Sequence, residues 1–402
     1  MNAGACCGRK VSIEMDAIKL MYEQIASQAD LFDQCSENLI LQCKALVRKD
    51  GFAKSLNKIY ITGCGDSYFA GICCRDFFRT YVGVHTEVWH ALELSRYVLP
   101  YEADEHTLVL SVSSSGNVAR TAECALRAAQ VGAMSVAVTS KPESRLAKLA
   151  SAAICIEIPD SIALAPGTQS YCASMLALYS IAVALGQERG TITEEKAKSL
   201  LAGISGLGRV MKQTAEQSYD LIRKYVDAYW DEGNPQKIRM FHILGSGPNW
   251  GTAQFGSMKL LEAAGFDSVP QGIEEWAHAQ YFTTRPGTHT LVLAAKGESR
   301  ERALEILQAV TVMDGKKIVI GEEGDEELAR AADIFLPICG AADIPEELSP
   351  LVYPIPLELM SCYISALTGK AGFEFAEKPW RKQENFRQIY GSRIVPLDSK
   401  EV

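Results

Sequence analysis

The sequence predicts an α/β protein in which one domain plan occurs twice. Short apolar runs alternate with amphipathic helical stretches, a pattern typical of parallel sheets that helices cover on both faces. The pattern then returns in the second half of the chain at a nearly constant spacing, which indicates an internal repeat. A chain of 402 residues is long enough for two such domains with sizeable cores.

Five strands are predicted in the first copy, each from a short apolar run. They are KIYIT (58–62), TEVWHA (86–91), TLVLSVS (107–113), SVAVT (135–139) and AICIEIP (153–159). Helical patterns lie between most of these runs, as parallel strand connections require.

The repeat appears as four paired segments. TGCGDSYFAG at 62–71 is echoed by LGSGPNWGTA at 244–253, and TLVL at 107–110 returns at 290–293. GAMSVAVT at 132–139 returns as GKKIVIGE at 315–322, and AAICIEIP returns as AADIFLPI. We therefore predict two copies of one domain.

The rest of the chain frames these copies. We predict a helical arm over 1–48, a first domain over 49–190, a helical linker over 191–234, a second domain over 235–370 and a tail over 371–402. The tail is rich in aromatic and cationic residues, so we expect it to pack near the active site.

Composition excludes several classes of protein. The net charge of −9 argues against a nucleic-acid partner. No run reaches about 18 uninterrupted apolar residues, and the first residues lack a signal-peptide core, so we expect no membrane partner. Twelve cysteines without a CxxC pair, several of them in apolar runs, predict buried free thiols in a reduced, cytoplasmic compartment.

The turn GCGDSYFAG resembles a dinucleotide fingerprint but fails it, because Tyr68 stands where the third glycine belongs. We therefore expect no nicotinamide or flavin cofactor. What remains is a strand, a tight turn at Gly63 and Gly65, and a helix that Asp66 or Ser67 could cap.

A better anion site lies where the third strand ends. Ser113, Ser114 and Ser115 precede Gly116, which we expect to begin a helix together with Asn117. Helix amino termini carry unpaired amides and favour anions, and three hydroxyls beside them could wrap phosphate oxygens. The alternative is a serine-rich cap without a ligand. The aligned segment TLVLAAKGESR lacks these serines, which indicates that only the first copy binds the anion.

The second copy carries a different set of polar residues. Lys259 and Glu262 are spaced i, i+3 on a helix that we expect to end at Gly265, and His278 follows Glu262 by sixteen residues. Spacing alone leaves two interpretations open: an acid–base group, or a solvated ion pair with an unrelated structural histidine.

Taken together, these residues resemble the double-domain form of the sugar isomerase (SIS) domain family over roughly residues 13–370. The isomerase half of glucosamine-6-phosphate synthase and the fructosamine-6-phosphate deglycases are similar in kind. The family's G-T-S-Y turn stands here as GDSY (65–68), and its S-Q-S-G-E-T turn as SSSGNV (113–118). The synthase segments G-A-L-K-L-K-E and E-L-K-H stand as GSMKLLE (256–262) and EWAH (275–278).

The resemblance implies five-stranded parallel sheets flanked by helices, and a homodimer with shared active sites. It implies Glu262 as the base, His278 from the neighbouring chain as a ring-opening or proton-shuttling group, and Lys259 as an orienting cation. Implied substrate contacts are Gly65, Asp66, Ser67, Ser113, Ser114, Ser115, Gly167 and Thr168. No metal is needed for this chemistry.

Three departures from the family pattern matter. Asp66 and Val118 stand where the family has threonines of the phosphate shell, which leaves room for another anion such as a sulfonate. The synthase's carboxyl-terminal ending with its ring-opening lysine is missing, and Arg381, Lys382 or Arg393 could substitute. No glutaminase half is present, so glutamine-dependent synthesis is not expected.

The function expected from the sequence is proton transfer between C1 and C2 of an open-chain sugar 6-phosphate. The reaction would be either aldose–ketose isomerisation or fructosamine-6-phosphate deglycation. Two alternatives stay open: an isomerase for another 6-anionic sugar, such as a 6-sulfonated hexose, and a non-catalytic regulator that binds sugar phosphates.

Overall fold

The computed structural model describes residues 19–34, 36–156, 158, 166–340, 344–368 and 379–397. It confirms the predicted fold class, because the described residues form two five-stranded parallel sheets flanked by helices. The strand orders are β2-β1-β3-β4-β5 and β10-β9-β8-β6-β7, so both sheets follow one plan.

The strands lie close to the predicted runs. In the first sheet they are β1 (Lys58–Gly63), β2 (His85–His90), β3 (Thr107–Val112), β4 (Met134–Thr139) and β5 (Ala152–Cys155). In the second sheet they are β6 (Met240–Leu244), β7 (Ser268–Gln271), β8 (Thr288–Ala294), β9 (Lys316–Glu322) and β10 (Ile334–Ile338).

Nine helices with 11 or more residues lie within the part of the chain that the structure describes. They are α1 (Ser36–Val47), α2 (Asp66–Tyr81), α3 (Ala119–Gln130), α4 (Gln169–Arg189), α5 (Glu194–Ala228), α6 (Asn249–Lys259), α7 (Arg300–Val312), α8 (Pro354–Thr368) and α9 (Pro379–Tyr390). Shorter α-helices span Leu31–Gln34, Phe52–Ser55, Ala91–Glu93, Leu99–Glu102, Arg145–Leu149, Ile273–His278 and Glu326–Ala331. Single turns of 3₁₀-helix lie at Gln28–Asp30, Lys49–Gly51, Gln280–Thr283 and Glu346–Leu351, and π-helical turns at Leu94–Val98 and Leu260–Ala264.

Burial on both faces explains why the central strands are continuously apolar. Every residue of β3 and of β8 is buried, as expected when helices cover both sides of a parallel sheet. Strand β7 escaped the sequence prediction because SVPQ is short and contains Pro270. Proline is tolerated there because β7 is an edge strand of its sheet.

The chain divides into two compact units. The serine unit comprises Asp30–Pro159, Gln169–Gly206 and Pro379–Val402, and it contains the first sheet. The lysine unit comprises Met1–Ala29, Asp160–Thr168 and Leu207–Lys378, and it contains the second sheet. The predicted linker is largely the single 35-residue helix α5, which runs through parts of both units.

Strand register corrects one part of the predicted repeat. Thr62 pairs with Ser111 in the first sheet, and Leu244 pairs with Val292 in the second. When Gly63 is matched to Gly245, Gly116 therefore matches Gly297, two residues away from the alignment that the TLVL repeat predicts. The three serines then correspond to Ala294, Ala295 and Lys296, so the prediction that the second copy lacks them still holds.

Two helices are long and apolar enough to cross a membrane, but packing inside the protein accounts for their composition. Their apolar windows, in Gln169–Arg189 and Glu346–Thr368, are 94% and 78% buried. The nine cysteines that the structure describes are free thiols, most of them buried. Burial raises the pKa of Cys43 and of Cys362 to about 12, so these thiols stay protonated.

Candidate functional site

The first candidate element is the serine turn, residues 113–118, at the carboxyl end of β3. Ser113 is 2% exposed, and its amide donates to the carbonyl of Val138 at 2.9 Å. Its Oγ accepts the amide of Gly116 at 3.1 Å, which closes the turn. Ser113 therefore shapes the turn, and its hydroxyl proton is the part that could serve a ligand.

Ser114 ties the serine turn to the end of β4. Its carbonyl accepts the hydroxyls of Thr139 at 3.1 Å and of Ser140 at 2.8 Å. The hydroxyls of Ser114 and Ser140 lie 3.3 Å apart. The sequence prediction missed Ser140, although its position directly after the strand SVAVT was a signal.

The helix after the serine turn begins later than predicted. It starts at Ala119 rather than at Gly116 and Asn117, and Val118 occupies the N-cap without a side-chain hydrogen bond. The Oγ of Ser115 accepts the amide of Asn117 at 3.3 Å. Because valine has no hydroxyl, the first amides of α3 lack the side-chain cap that a threonine would supply, and they remain suited to an anion.

The glycine turn after β1 supplies the second candidate element. Gly65 is the N-cap of α2 with a φ of 55°, and Asp66 and Ser67 are the first two helical residues. Neither caps the helix, so the predicted capping role is wrong. One carboxylate oxygen of Asp66 is buried, and its charge is among the causes that raise the pKa of the buried Tyr171, after burial itself.

Topology brings these two turns together. Strands β1 and β3 are neighbours, and the chain order reverses between them. In open α/β sheets ligands bind outside the carboxyl ends of the strands at this switch point. The structure therefore places Gly65 and the serine turn on the same edge of the first sheet.

The lysine unit contains the most unusual ion pair among the described residues. Lys259 is the last residue of α6, and its side chain is fully buried. Its Nζ lies 2.5 Å from Oε2 of Glu262, 5.0 Å from the ring centre of Phe255 and 3.4 Å from the carbonyl of Gly167. Glu262 is 28% exposed, so the pair reaches solvent on the carboxylate side only.

Glu262 lies on a π-helical turn of the backbone. Helix α6 continues into the π-helical turn Leu260–Ala264 and ends at Gly265, whose φ of 57° confirms the predicted left-handed position. Turns of π-helix are rare and occur frequently at functional sites. Burying a lysine is costly unless a carboxylate and other acceptors compensate it, so the solvated ion pair that spacing alone allowed is wrong for Lys259.

Gly167 and Thr168, two residues expected to contact the sugar, lie beside this pair in the lysine unit. The carbonyl of Gly167 is an acceptor for Lys259. Thr168 is completely buried, and its hydroxyl has no hydrogen-bond partner among the residues that the structure describes. A buried hydroxyl without a partner costs free energy, which favours a ligand at this position.

His278 stands apart from the pair. It ends the short helix Ile273–His278, is 67% exposed and lies 3.3 Å from Oε1 of Glu274. Glu274 also binds Arg302 at 2.6 Å, and that hydrogen bond lowers the pKa of Glu274. The described contacts of His278 do not include Glu262, so the structure does not bring these two predicted residues together within one chain.

The tail packs on helix α3 of the serine unit. Arg120 donates to the carbonyl of Arg393, and Arg127 donates to the carbonyl of Val395 at 2.8 Å. The amide of Leu397 donates to Gln130 at 2.9 Å. Arg393, one of the tail candidates, is thus held by its backbone beside the helix that follows the serine turn.

Two further tail candidates, Arg381 and Lys382, have side chains that lie outside the described residues.

Sequence reasoning also missed Glu123, which is fully buried and accepts from Arg96 at 2.9 Å, Arg120 at 2.6 Å and the amide of Val395 at 2.7 Å. Burial opposes its charge, but these hydrogen bonds outweigh burial and lower the pKa of Glu123. Glu123 anchors the tail to α3.

Comparison with known proteins finds a family match for the first domain. Residues 53–184 match the family model of the SIS domain. The matched residues include every strand of the first sheet, so this part of the chain is similar to the SIS domain. The resemblance inferred from GDSY and SSSGNV, which both lie in this range, is confirmed.

The chain is similar to the isomerizing glutamine–fructose-6-phosphate aminotransferase of Thermus thermophilus, with 29% identity over 79% of this chain and 50% of that protein. It thus spans about half the length of this curated relative. Two solved structures share the fold. One is the carboxyl-terminal domain of glucosamine-fructose-6-phosphate aminotransferase from Francisella tularensis, with a TM-score of 0.74, 20% identity and coverage of 87% of this chain and 96% of that chain. The other is tagatose-6-phosphate ketose/aldose isomerase from Escherichia coli, with a TM-score of 0.68, 15% identity and coverage of 94% and 97%.

Proposed function

We propose that this SIS-domain protein moves a proton between C1 and C2 of an open-chain sugar 6-phosphate. The reaction is either an aldose–ketose isomerisation or the deglycation of a fructosamine 6-phosphate. The observation that carries the proposal is the pair of the buried Lys259 and the partly exposed Glu262, 2.5 Å apart, with the Gly167 carbonyl as a further acceptor for the lysine. A carboxylate that keeps one side open to solvent suits a base that must meet a bound substrate.

Glu262 is the proton carrier in this mechanism. Its carboxylate removes the proton from the carbon next to the carbonyl, and the C–H electron pair forms the C1–C2 double bond of an enediol while the carbonyl oxygen takes up a proton. Glu262 then returns its proton to the other carbon, and the hydroxyl proton of the first carbon leaves as the new carbonyl forms. In deglycation the same steps pass through an enaminol, and water then hydrolyses the C=N bond to release the amine. General acid–base steps of this kind contribute about 10²–10⁴-fold in rate.

Lys259 is the positioning cation for Glu262. It is fully buried and held by Glu262 on one side and the Gly167 carbonyl on the other, which fixes the carboxylate before substrate arrives. Positioning in advance lowers the entropy lost on reaching the transition state.

The serine turn binds the anionic group of the sugar. It offers the hydroxyl protons of Ser113 and Ser115 and the uncapped first turn of α3. These donors are neutral, so they bind an anion by hydrogen bonds and by the helix dipole rather than through a fixed cation.

His278 acts on a second copy of the chain in this proposal, and the protein is accordingly a homodimer. The exposure of its imidazole, 67% in the single chain, supports a role outside its own unit. There it opens the sugar ring or moves the oxygen proton. The relatives support the substrate class, because their names refer to fructose 6-phosphate and tagatose 6-phosphate.

The test is a substrate panel in D₂O followed by NMR, with 6-phosphorylated ketoses, fructosamine 6-phosphates and 6-sulfonated hexoses. We expect deuterium at C1 or C2 of a 6-phosphorylated sugar, with release of an amine only if the protein is a deglycase. Deuterium exchange confined to a 6-sulfonated sugar would show that the substrate carries a sulfonate instead of a phosphate. Binding of sugar phosphates without exchange by any of them would contradict the enzymatic proposal and favour a regulator.

A further inference from the structure

The second sheet has its own crevice at the switch point, outside the carboxyl ends of β6 and β8. We call it the second crevice and define it by residues 245–247 and 296–298. Strands β6 and β8 are neighbours with the chain order reversing between them, as β1 and β3 are in the first sheet. A ligand of the lysine unit's own sheet is therefore expected here if the crevice is open.

Both copies keep the glycines that shape this position. By strand register Gly247 corresponds to Gly65, and each has a φ of 55°. Gly297 corresponds to Gly116 at the second turn. Lys296 takes the place of Ser115 and is exposed. The second crevice has therefore lost the serine hydroxyls and gained a cation.

A carboxylate of the chain itself lies in the second crevice. Glu346, the first residue of the 3₁₀ turn Glu346–Leu351, accepts the amide of Glu298 with Oε2 at 3.2 Å. A β-carbon on Gly297 would collide with this carboxylate, and one on Gly247 would lie 3.7 Å from Oε1. The carboxylate is thus seated between the two glycine turns, against backbone that only glycine lets it approach.

Hydrogen bonds of Ser349 hold the turn that carries Glu346. The Oγ of Ser349 donates to the carbonyl of Glu346 at 2.6 Å and accepts from Asn249 at 2.7 Å. Asn249 is the first residue of α6. The backbone that carries the Glu346 side chain is therefore held in place by α6 of the lysine unit.

A buried hydroxyl follows the same turn in the chain. Tyr353 is completely buried, and its hydroxyl has no hydrogen-bond partner among the described residues. Burial raises the pKa of Tyr353 well above its usual value, and the charges of Glu322, Asp325 and Glu346 raise it further. Asp325 is itself paired with Arg300 through two contacts of 2.7 Å.

We propose that the second crevice is an additional anion site, of the class that binds phosphate groups, and that the carboxylate of Glu346 occupies it. The chain supplies its own anion in the second sheet, so each chain binds only one sugar phosphate, in the first. The inference rests on the proposed function only in taking the serine turn as the anion site of the first sheet.

The experiment is a titration of the full chain with inorganic phosphate, by calorimetry, in the parent protein and in Glu346→Ala. We expect one phosphate per chain for the parent and two for Glu346→Ala. Glu347→Ala removes the same charge from the next residue of the same turn and should bind one. Equal stoichiometry in Glu346→Ala and the parent would overturn the inference.

A serine background separates this inference from the proposed function. We expect the double variant Ser113→Ala, Ser115→Ala to bind no phosphate. We expect the triple variant that also carries Glu346→Ala to bind one phosphate per chain. If the unmodified protein binds no phosphate while Glu346→Ala binds one, the result supports the second crevice as an anion site and contradicts the serine turn as one. If the serine background abolishes binding whether or not Glu346 is replaced, the second crevice is not an anion site.

A ligand-free measurement guards against misfolding of Glu346→Ala. Gly297→Ala should lower the melting temperature of the parent, because its β-carbon meets the Glu346 carboxylate. The same change should cost little in Glu346→Ala, a coupling that a double-mutant cycle measures. An equal cost in both backgrounds would contradict the placement of the carboxylate against Gly297.

Discussion

The two sheets share one strand order but present different chemistry at the same edge. In the first sheet, β3 ends in three serines and an uncapped helix. In the second, β8 runs into Ala294, Ala295 and Lys296, and the carboxylate of Glu346 lies in the crevice. The Lys259–Glu262 ion pair of the second half lies elsewhere, on α6 and its π-helical turn. The two copies therefore share one scaffold, and the proposed function assigns anion binding to the first copy and proton transfer to the second.

The largest effect should come from removing the base. Glu262→Gln keeps the shape of the side chain but cannot accept a proton, so kcat should fall by about 10²–10⁴-fold. Steady-state kinetics on the substrate found by the panel measures this. The exposed Glu216 belongs to the same unit, and Glu216→Gln should change nothing. A Glu262→Gln enzyme with near-normal kcat would assign the proton transfer to another group.

A smaller effect is expected from the serine turn. Ser113→Ala combined with Ser115→Ala removes two hydroxyl donors to the anion, each worth about 1.5–3 kcal/mol when its partner is charged. KM should rise by at least about tenfold while kcat changes less, because these groups supply binding. Ser299→Ala removes the serine before α7, which makes no side-chain cap, and should leave KM unchanged. An unchanged KM in the double variant would remove the serine turn from the site.

Low pH should reduce the folding stability of the lysine unit, because two of its histidines are buried. Burial lowers the pKa of His242 and of His289 to about 4. Each folded-state pKa lies below the unfolded value near 6.5, so unfolding takes up protons between these limits. Stability is complete above about pH 6.5 and falls toward pH 4, by at most about 1.4 kcal/mol per pH unit for each histidine. Denaturant titrations across this range measure the slope.

Substitution separates this effect from general acid denaturation. His289 lies 2.8 Å from the hydroxyl of Tyr225 and 2.9 Å from the carbonyl of Gln236. His289→Gln should remove about half of the slope, since glutamine does not titrate. The exposed His85 of the serine unit is the control, and His85→Gln should leave the slope intact. A slope that His289→Gln does not reduce would refute this explanation.

The last expected effect concerns the tail and is confined to stability. A stop after Gly391 removes the backbone partners of Arg120, Glu123, Arg127 and Gln130 on α3. Intramolecular hydrogen bonds contribute about 0.5–1.5 kcal/mol each, so the serine unit should lose a few kcal/mol at most. A stop after Leu397 should be neutral, because these contacts remain. Thermal unfolding of the two truncations tests the anchor, and equal melting temperatures would disprove it.

Much of the fold was accessible from the sequence because buried parallel strands are continuously apolar. The five strands of the first sheet were found within a few residues of their ends. Strand β7 was missed, since SVPQ carries neither alternation nor an apolar run and is held by tertiary contacts, pairing with β6 and hydrogen bonds from Ser268 to Ser257 of α6. The TLVL repeat misled the alignment by two residues, because identical letters do not fix the register of a strand.

The candidate site was accessible in part. The serines, Lys259 and Glu262 stood out through spacing and resemblance, and the structure shows how deeply Lys259 is buried. The contact of Glu346 with Glu298 and the contact of Glu123 with the tail at Val395 could not be found this way, because the two residues of each contact lie 48 and 272 residues apart along the chain. Contacts of such sequence separation are set by tertiary packing, and no local pattern records them.

One measurement tests the division of labour most directly: solvent deuterium exchange into bound sugar, followed by NMR alongside the binding affinity of the same sugar. At saturating substrate, Glu262→Gln should bind the sugar normally and incorporate no deuterium. The Ser113→Ala and Ser115→Ala protein should bind weakly and still exchange once saturated. If both proteins lost binding and exchange in the same proportion, or if Glu262→Gln retained exchange, the assignment of anion binding to one half and proton transfer to the other would be wrong.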